Sequence, residues 1–312
     1  MQVFLIVVPV FALIAIGFGA ARTGLFSETA HKGLSEFAFS IAMPAQLFRT
    51  IAAPGSPGFD PLGLWGAYFG AILITWVMAT LLTRYVLKRP AADGVSIAMS
   101  SVYGNVVMIG LPLSVAAFGE TALVPVALIL SLNTPLLWLA GMLHMEWADR
   151  KPDTSLSSLG RVLLNDLVRN PLILAILAGL AWRVLGLGVW SPVGKVLDLL
   201  AQSSVPCALM ALGASLTRFR IDGQMPTLAT LCVLKLLVLP AVAWLLAHYV
   251  FRLPPMPAAV VVILAAMPAG ANAYLFAMRY QKVVNSASGA VALGTILSAL
   301  TAAVLLAAMM PG

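Results

Sequence analysis

Residues 104–112 read GNVVMIGLP, and residues 268–277 read PAGANAYLFA. Each motif lies within a long apolar segment, and each combines proline and glycine with an asparagine. Proline removes a backbone donor and glycine loosens a helix, and in lipid the freed backbone groups must be satisfied by protein or by a watery cavity. The two motifs therefore predict two interrupted membrane helices whose breaks lie near the bilayer midplane beside a cavity.

The composition around these motifs is that of a membrane protein. Of the 312 residues, 61% are hydrophobic and 9% are charged, and the mean hydropathy is +1.01. Soluble domains carry about 25% charged residues, so a water-soluble fold is excluded. The net charge of +7 is spread over the loops between apolar segments, which indicates topology signals and predicts no nucleic-acid partner.

Apolar windows long enough to cross a bilayer recur along the whole chain. We place them at residues 3–21, 33–52, 62–83, 94–117, 121–145, 167–186, 193–217, 227–250, 256–279 and 286–310. The sequence therefore predicts an all-α membrane protein of ten transmembrane helices. The two interrupted helices are then the fourth and the ninth.

The basic residues predict the orientation of these helices. With the amino terminus outside, most of the 18 lysines and arginines fall in loops on the inner side. We therefore expect an integral membrane protein with both termini outside.

The chain is predicted to consist of two inverted halves. A polar cytoplasmic loop at 148–166 separates a five-helix repeat at 1–147 from a second at 167–312, and an odd number of helices per repeat inverts the second half. Spacing supports the repeat: Glu36, Ser40 and Pro44 in the second window are matched by Asp198, Gln202 and Pro206 in the seventh.

The two quoted motifs resemble those of the auxin efflux carrier family, in its bacterial, malonate-transporter-like branch. This resemblance extends over essentially the whole chain. It implies ten helices in two inverted five-helix repeats, with crossed, broken helices 4 and 9. This is the sodium/proton-antiporter-like fold, which is shared with the sodium/bile-acid symporters.

By position, the resemblance also implies a substrate site. The crossing would bring Gly104 and Asn105 to Pro268 and Ala269, with Asn105 as the foremost substrate contact and Asn272 as the next. Asn133 matches a polar position that lines the family's cavity, although a lone membrane asparagine often bonds a neighbouring helix instead. The plant members carry proline at the position of Gly104 and a long cytosolic loop that is absent here.

Several polar residues inside the windows are candidates for coupling transport to Na⁺ or H⁺. They are Glu36, Ser40, Asp198, Gln202 and Ser203. Intramembrane carboxylates are costly and usually functional, but those near a helix amino terminus are also favoured by the helix dipole.

Lys235, in the middle of the eighth window, needs a carbonyl or lipid phosphate partner, or else attracts an anion. The cysteines and histidines have no metal-ligand spacing, and no cofactor is predicted.

These features favour a secondary transporter of a small organic anion, an auxin- or malonate-like mono- or dicarboxylate, moved by elevator-type alternating access. A sodium-coupled symporter of larger amphipathic acids, of the bile-acid type, is the alternative, followed by a channel. Enzyme motifs such as HExxH, GxSxG and the Walker loop are missing from the sequence. The expected partners are the substrate anion, membrane lipid and a second copy in a homodimer.

Overall fold

A computed structural model describes residues 2–53, 58–149, 169–221 and 223–309. Within these ranges the chain is helical apart from turns and one isolated antiparallel bridge. The predicted connecting loop at 148–166 lies outside the described residues except for its first two positions. The expectation of an all-α protein is confirmed for the described part of the chain.

The helices before the loop are numbered α1 to α7. They are α1 Gln2–Arg22, α2 Glu28–Phe37, α3 Met43–Ala52, α4 Pro61–Tyr85, α5 Ala91–Val102, α6 Leu111–Phe118 and α7 Leu123–Asp149. A π-helical turn, Ala38–Ala42, joins α2 to α3, and another, Val106–Gly110, leads into α6. The 3-10 turn Glu120–Ala122 leads into α7.

The helices after the loop are numbered α8 to α14. They are α8 Pro171–Val184, α9 Ser191–Leu216, α10 Met225–Val233, α11 Leu239–Leu245, α12 Pro255–Ala266, α13 Ala271–Tyr280 and α14 Val284–Met309. The π-helical turns Leu234–Val238 and Leu246–Val250 extend α10 and α11 into one helix from Met225 to Val250.

Local sequence sets where several of these helices begin. The Asp60 carboxylate accepts hydrogen bonds from the amides of Leu62 and Gly63 at 3.0 and 2.9 Å, with Pro61 in the first helical position of α4. Asn170 caps α8 in the same way, ahead of Pro171. An Asx side chain satisfies free amino-terminal donors and proline has no amide to leave unpaired, so both sequences favour a sharp helix start.

Six helices of the described chain are long and apolar enough to cross a membrane. They are Val3–Arg22, Pro61–Tyr85, Glu120–Ala148, Ser191–Leu216, Met225–Val250 and Val284–Met309. Shorter apolar helices occupy Val106–Phe118, Pro171–Val184 and Pro255–Ala266. The protein is therefore an integral membrane protein, and its arrangement as ten spans in two inverted repeats stays a prediction.

The helices pack in two groups. The first group contains α1, α2, α3, α8 and α9, in which α9 packs against α1 and α3, and α3 also packs against α8. The second group contains α4 to α7 and α10 to α14, and it packs around a large apolar cluster that includes Tyr68, Met99 and Phe276 and extends to Leu47 and Ile176 of the first group. Both cavities described below lie between these groups.

Two glycines hold α1 and α9 in direct backbone contact. A Cβ atom on Gly17 would lie 2.2 Å from the Met210 carbonyl oxygen, and one on Gly213 would lie 1.9 Å from that of Ile14. Small residues allow membrane helices to approach this closely, which increases van der Waals contact in an environment where the hydrophobic effect adds little.

We therefore expect Gly17→Ala to force α1 away from α9 and to lower the free energy of unfolding by roughly 1–3 kcal/mol. Gly19→Ala is the matched control, because a Cβ there has no neighbour within 4 Å. Unfolding of both purified variants in mixed micelles measures the difference. Equal stability of the two variants would contradict the packing described here.

Candidate functional site

The fourth predicted helix is interrupted between α5 and α6, at Tyr103, Gly104 and Asn105. Asn105 leaves the helical conformation with φ of −76° and ψ of 60°, and its side-chain oxygen accepts a hydrogen bond from the Met108 amide at 3.2 Å. Its own carbonyl accepts from the Ile109 and Gly110 amides. Asn105 therefore starts the second half of this helix as its amino-terminal cap.

The ninth predicted helix is interrupted between α12 and α13. Helix α12 ends at Ala266, and Met267 and Gly270 are both extended, with ψ of 141° and 163°. Helix α13 then begins at Ala271. Pro268, Ala269 and Gly270 are all buried, so this backbone leaves the helix inside the protein.

The two breaks bond to each other. The Asn105 amide donates to the Pro268 carbonyl at 2.7 Å, and the Gly270 amide donates to the Tyr103 carbonyl at 2.9 Å. Gly104 and Ala269 thereby form an isolated antiparallel bridge. Each break supplies the partners that the other lost on leaving the helix, which satisfies the requirement that buried backbone groups be paired.

The glycines on the two sides of this bridge have close neighbours. A Cβ on Gly270 would lie 3.1 Å from the Gly104 carbonyl oxygen and 3.3 Å from the Asn105 nitrogen. A Cβ on Gly104 would lie 3.0 Å from Nζ of Lys235. The break therefore leaves little room for side chains and faces a buried lysine on one side.

On the other side of the break lies a polar network. The Tyr103 hydroxyl is 2.7 Å from the Thr134 hydroxyl and accepts a hydrogen bond from the Asn272 amide at 2.8 Å. Asn133 takes a different partner, because its side-chain oxygen accepts from the Tyr68 hydroxyl at 3.3 Å. Asn272 is thus held at the break, whereas Asn133 serves a contact between α7 and α4.

A cavity of about 510 Å³ adjoins this network, and we call it the Asn272 cavity. Its polar lining comes from Asn272, Thr134, Arg169 and Asn170. Its apolar lining consists of Phe39, Val107, Pro135, Trp138, Pro171, Leu172 and Ile173. A largely apolar cavity with a few convergent polar groups is typical of a small-molecule site.

A second cavity of about 430 Å³, the Arg49 cavity, is lined by Pro112 and Val115 of α6, which is the second half of the broken fourth helix. The Arg49 guanidinium bonds the Glu120 carboxylate at 2.9 and 3.1 Å and also pairs with Asp198. Gln202 is exposed to this cavity as well. Arg49 and Asp198 belong to the first helix group and Glu120 to the second.

The structure separates the five candidates for ion coupling. Asp198 and Gln202 line the Arg49 cavity, and the Ser203 hydroxyl donates to the Leu200 carbonyl at 2.7 Å. Glu36 and Ser40 are exposed and belong to neither cavity as the described residues define them. No cluster of three or more His, Cys, Asp or Glu suited to a metal ion occurs among the described residues.

Lys235 has the carbonyl partner that the sequence left as one of its alternatives. Its side chain is 2% exposed, and Nζ donates to the Ala265 carbonyl at 2.7 Å. It thus lies inside the second helix group rather than at a lipid phosphate.

Three residues of the Asn272 cavity and its network were not singled out from the sequence. Tyr103 lies two residues before Asn105, Thr134 directly follows Asn133, and Arg169 directly precedes the Asn-Pro start of α8. The spacing of polar residues near a predicted break was the one signal that could have found the first two.

The sequence pattern of a family described as membrane transport proteins matches residues 2–306. The chain belongs to this membrane transport protein family. A Rhizobium meliloti protein named "Putative malonate transporter" is 25% identical over 297 residues, which cover 95% of this chain and 92% of that protein. An uncharacterized transporter of Methanocaldococcus jannaschii is 28% identical over 120 residues, or 38% of this chain and 39% of its own.

These matches confirm the resemblance to the auxin efflux carrier family that the two motifs indicated. They also identify the chain as a transporter rather than an enzyme. Its substrate is therefore a small molecule that crosses the membrane.

For this transporter, we expect Asn105→Ala to lower the free energy of unfolding by roughly 0.5–2 kcal/mol through loss of the cap on the Met108 amide, and to reduce transport. Asn105→Ser is the matched control, because serine also caps helices. If Asn105→Ala transports as fast as the wild type in proteoliposomes, the assignment of Asn105 to the site is wrong.

Proposed function

We propose that this membrane transport protein is a secondary transporter of a small organic anion, a mono- or dicarboxylate of the malonate or auxin type. The observation that carries the proposal is the Asn272 cavity, whose lining combines Arg169 with Thr134 and Asn272, and the Asn272 amide bonds the Tyr103 hydroxyl at the paired helix breaks. The Rhizobium meliloti relative, whose name refers to malonate, supports the same substrate class.

The lining of the Asn272 cavity suits a carboxylate. Arg169 supplies a guanidinium that can bind a carboxylate with two parallel hydrogen bonds. Helix α13 begins at Ala271, directly beside Asn272, so its partly positive amino-terminal end faces the same region. Phe39 and Trp138 provide apolar surface for the remainder of the substrate. The proposed substrate site therefore comprises Asn272 and Arg169, which line the cavity. It also includes Asn105 at the neighbouring break, whose side-chain oxygen caps the Met108 amide, and the bridge residues Gly104, Pro268 and Ala269 as backbone support.

The position of both cavities supports alternating access. The Asn272 cavity has walls from the first helix group, Phe39 and Leu172, and from the second, Thr134 and Asn272. The Arg49 cavity also has walls from both groups. Sliding of one group past the other would close one cavity while the other opens, with the paired breaks between them. We propose this elevator-type movement, with the first group as scaffold.

The same proposal includes the arrangement of the chain in the membrane. Ten spans in two inverted five-helix repeats, with the broken fourth and ninth helices crossed, account for the pairing of two breaks from opposite halves. We further propose a bacterial inner-membrane location with both termini outside, and a homodimer.

The coupling ion is proposed to be Na⁺ or H⁺. Asp198, Gln202 and Ser203 remain the candidate ligands for sodium on α9, since two of them reach the Arg49 cavity. Sodium-coupled transport of larger amphipathic acids is the second candidate function. The observation that favours it is the volume and apolar lining of the Asn272 cavity, which exceed what a dicarboxylate of a few atoms requires.

We expect Arg169→Gln to weaken carboxylate binding roughly tenfold or more, because a charge-assisted hydrogen bond is lost. Arg22→Gln, at the exposed end of α1, is the matched control. Binding of malonate, indole acetate and taurocholate to purified protein, followed by uptake into proteoliposomes, provides the measurement. Failure of the wild type to bind any of these acids would overturn the proposed function, and taurocholate binding alone would favour the second candidate.

Ion coupling has a separate test. If Asp198 and Gln202 contribute to a sodium site, replacing sodium with choline should abolish concentrative uptake, and Gln202→Ala should weaken the sodium dependence without preventing carboxylate binding. Uptake in proteoliposomes under imposed sodium or proton gradients measures this. Undiminished uptake in choline would reject sodium and leave the proton as the proposed ion.

A further inference from the structure

The buried side chain of Lys235 lies beside the carboxyl-terminal end of the broken helix α12. Its Nζ donates to the Ala265 carbonyl at 2.7 Å, and Ala265 lies in the last turn of α12. The carbonyls of a last helical turn lack partners within the helix and carry partial negative charge. This end of α12 therefore supplies a carbonyl that accepts from Lys235 in either protonation state, and only partial negative charge to balance an ammonium.

Lys235 also contacts the break between α5 and α6. A Cβ on Gly104 would lie 3.0 Å from Nζ and 3.2 Å from Cε, so the end of the lysine side chain packs against Gly104. The neighbouring Tyr103 bonds Asn272 at the Asn272 cavity. A short chain of contacts, from Lys235 through Gly104 and Tyr103 to Asn272, therefore links the lysine to the proposed substrate site.

The helix that carries Lys235 is irregular at this residue. Lys235 lies in the π-helical turn Leu234–Val238, one of the two such turns in the helix from Met225 to Val250. Single π-helical turns occur often at functional sites, because they place a side chain where a regular helix would not.

The ion pairs among the described residues do not include Lys235. Helices α4, α5, α10, α11, α12 and α14 pack against its π-helical turn. Their titratable side chains, with that of Tyr103 after α5, are Tyr68, Arg84, Tyr85, Asp93, Tyr103 and Cys232. Asp93 is the carboxylate in this set, and it pairs with Arg89 at 3.1 Å. Among the described residues, a charge on Lys235 is therefore balanced by the Ala265 carbonyl and the partial charges of helix ends.

Cation and anion sites on the two sides of one thin break influence each other. A buried charge without an opposite charge is costly, and the interaction between two charges is much stronger in a low-dielectric interior than in water. An anion in the Asn272 cavity would therefore stabilise the ammonium form of Lys235, and the ammonium would stabilise the anion.

We propose that Lys235 takes up a proton from solvent together with the substrate anion, so that the neutral amine becomes an ammonium as the carboxylate binds. This inference rests on the proposed function and deepens it, since it assigns the charge balance of the Asn272 cavity to a residue on the far side of the break. Lys235 acts across the break as a positioning charge and does not contact the substrate.

The test is titration calorimetry of purified protein with malonate, in two buffers of different ionisation enthalpy, over a pH series that spans neutral pH. We expect the wild type to take up as much as one proton per malonate. Lys235→Gln should bind malonate about tenfold more weakly and should lose the proton uptake. Lys195→Gln, which removes an exposed lysine on α9, should retain both.

Lys235→Arg keeps the test decisive if the glutamine variant does not fold. Arginine stays charged, so this variant should bind malonate with no proton uptake. Proton uptake of wild-type size in either Lys235 variant, or malonate binding by the wild type without proton uptake at every pH, would overturn the inference. A wild type that binds neither malonate nor the other acids overturns the proposed function itself, and this inference with it.

Discussion

The structure depends on the pairing of two backbone breaks inside the membrane protein. Two hydrogen bonds, from the Asn105 amide to Pro268 and from the Gly270 amide to Tyr103, satisfy groups that would otherwise be unpaired in a low-dielectric interior. The pairing brings the two backbones into contact, and a Cβ on Gly270 would lie against the backbone of Gly104 and Asn105. It also produces four helix ends close together, with two amino-terminal and two carboxyl-terminal ends. The Asn272 cavity and the Lys235 site lie next to these ends.

The two helix groups differ in how their helices pack together. In the first group, α1 and α9 touch through Gly17 and Gly213. The second is organised around a large apolar core. Between the groups, apolar contacts of residues such as Leu47 and Ile176 occur together with the ion pair from Arg49 to Glu120, and both cavities lie there as well. Cavities between two packed groups leave room for the relative movement of rigid units.

The sequence predicted the features that depend on local chemistry. Proline, glycine and asparagine placed both breaks within a few residues, because these residue types act on their own backbone. Side-chain partners from distant helices could not be predicted. The spacing that matched Glu36 to Asp198 gave no indication that Asp198 pairs with Arg49 and Glu36 is exposed. Asn133 shows the same limit, since only the fold reveals that Tyr68 is its partner. The roles of Tyr103 and Thr134 were overlooked because no sequence pattern shows which partner a single hydroxyl in an apolar segment will bond.

The two cavities differ in their electric potential. Arg49 is matched by two carboxylates, Glu120 and Asp198, so its cavity has an excess of negative charge. Arg169 is the charged side chain among the described residues that line the Asn272 cavity, and it makes that wall positive. An anion midway between the cavities is therefore drawn towards one and repelled from the other. For the anionic substrate proposed above, the potential in this conformation therefore favours the Asn272 end over the Arg49 end.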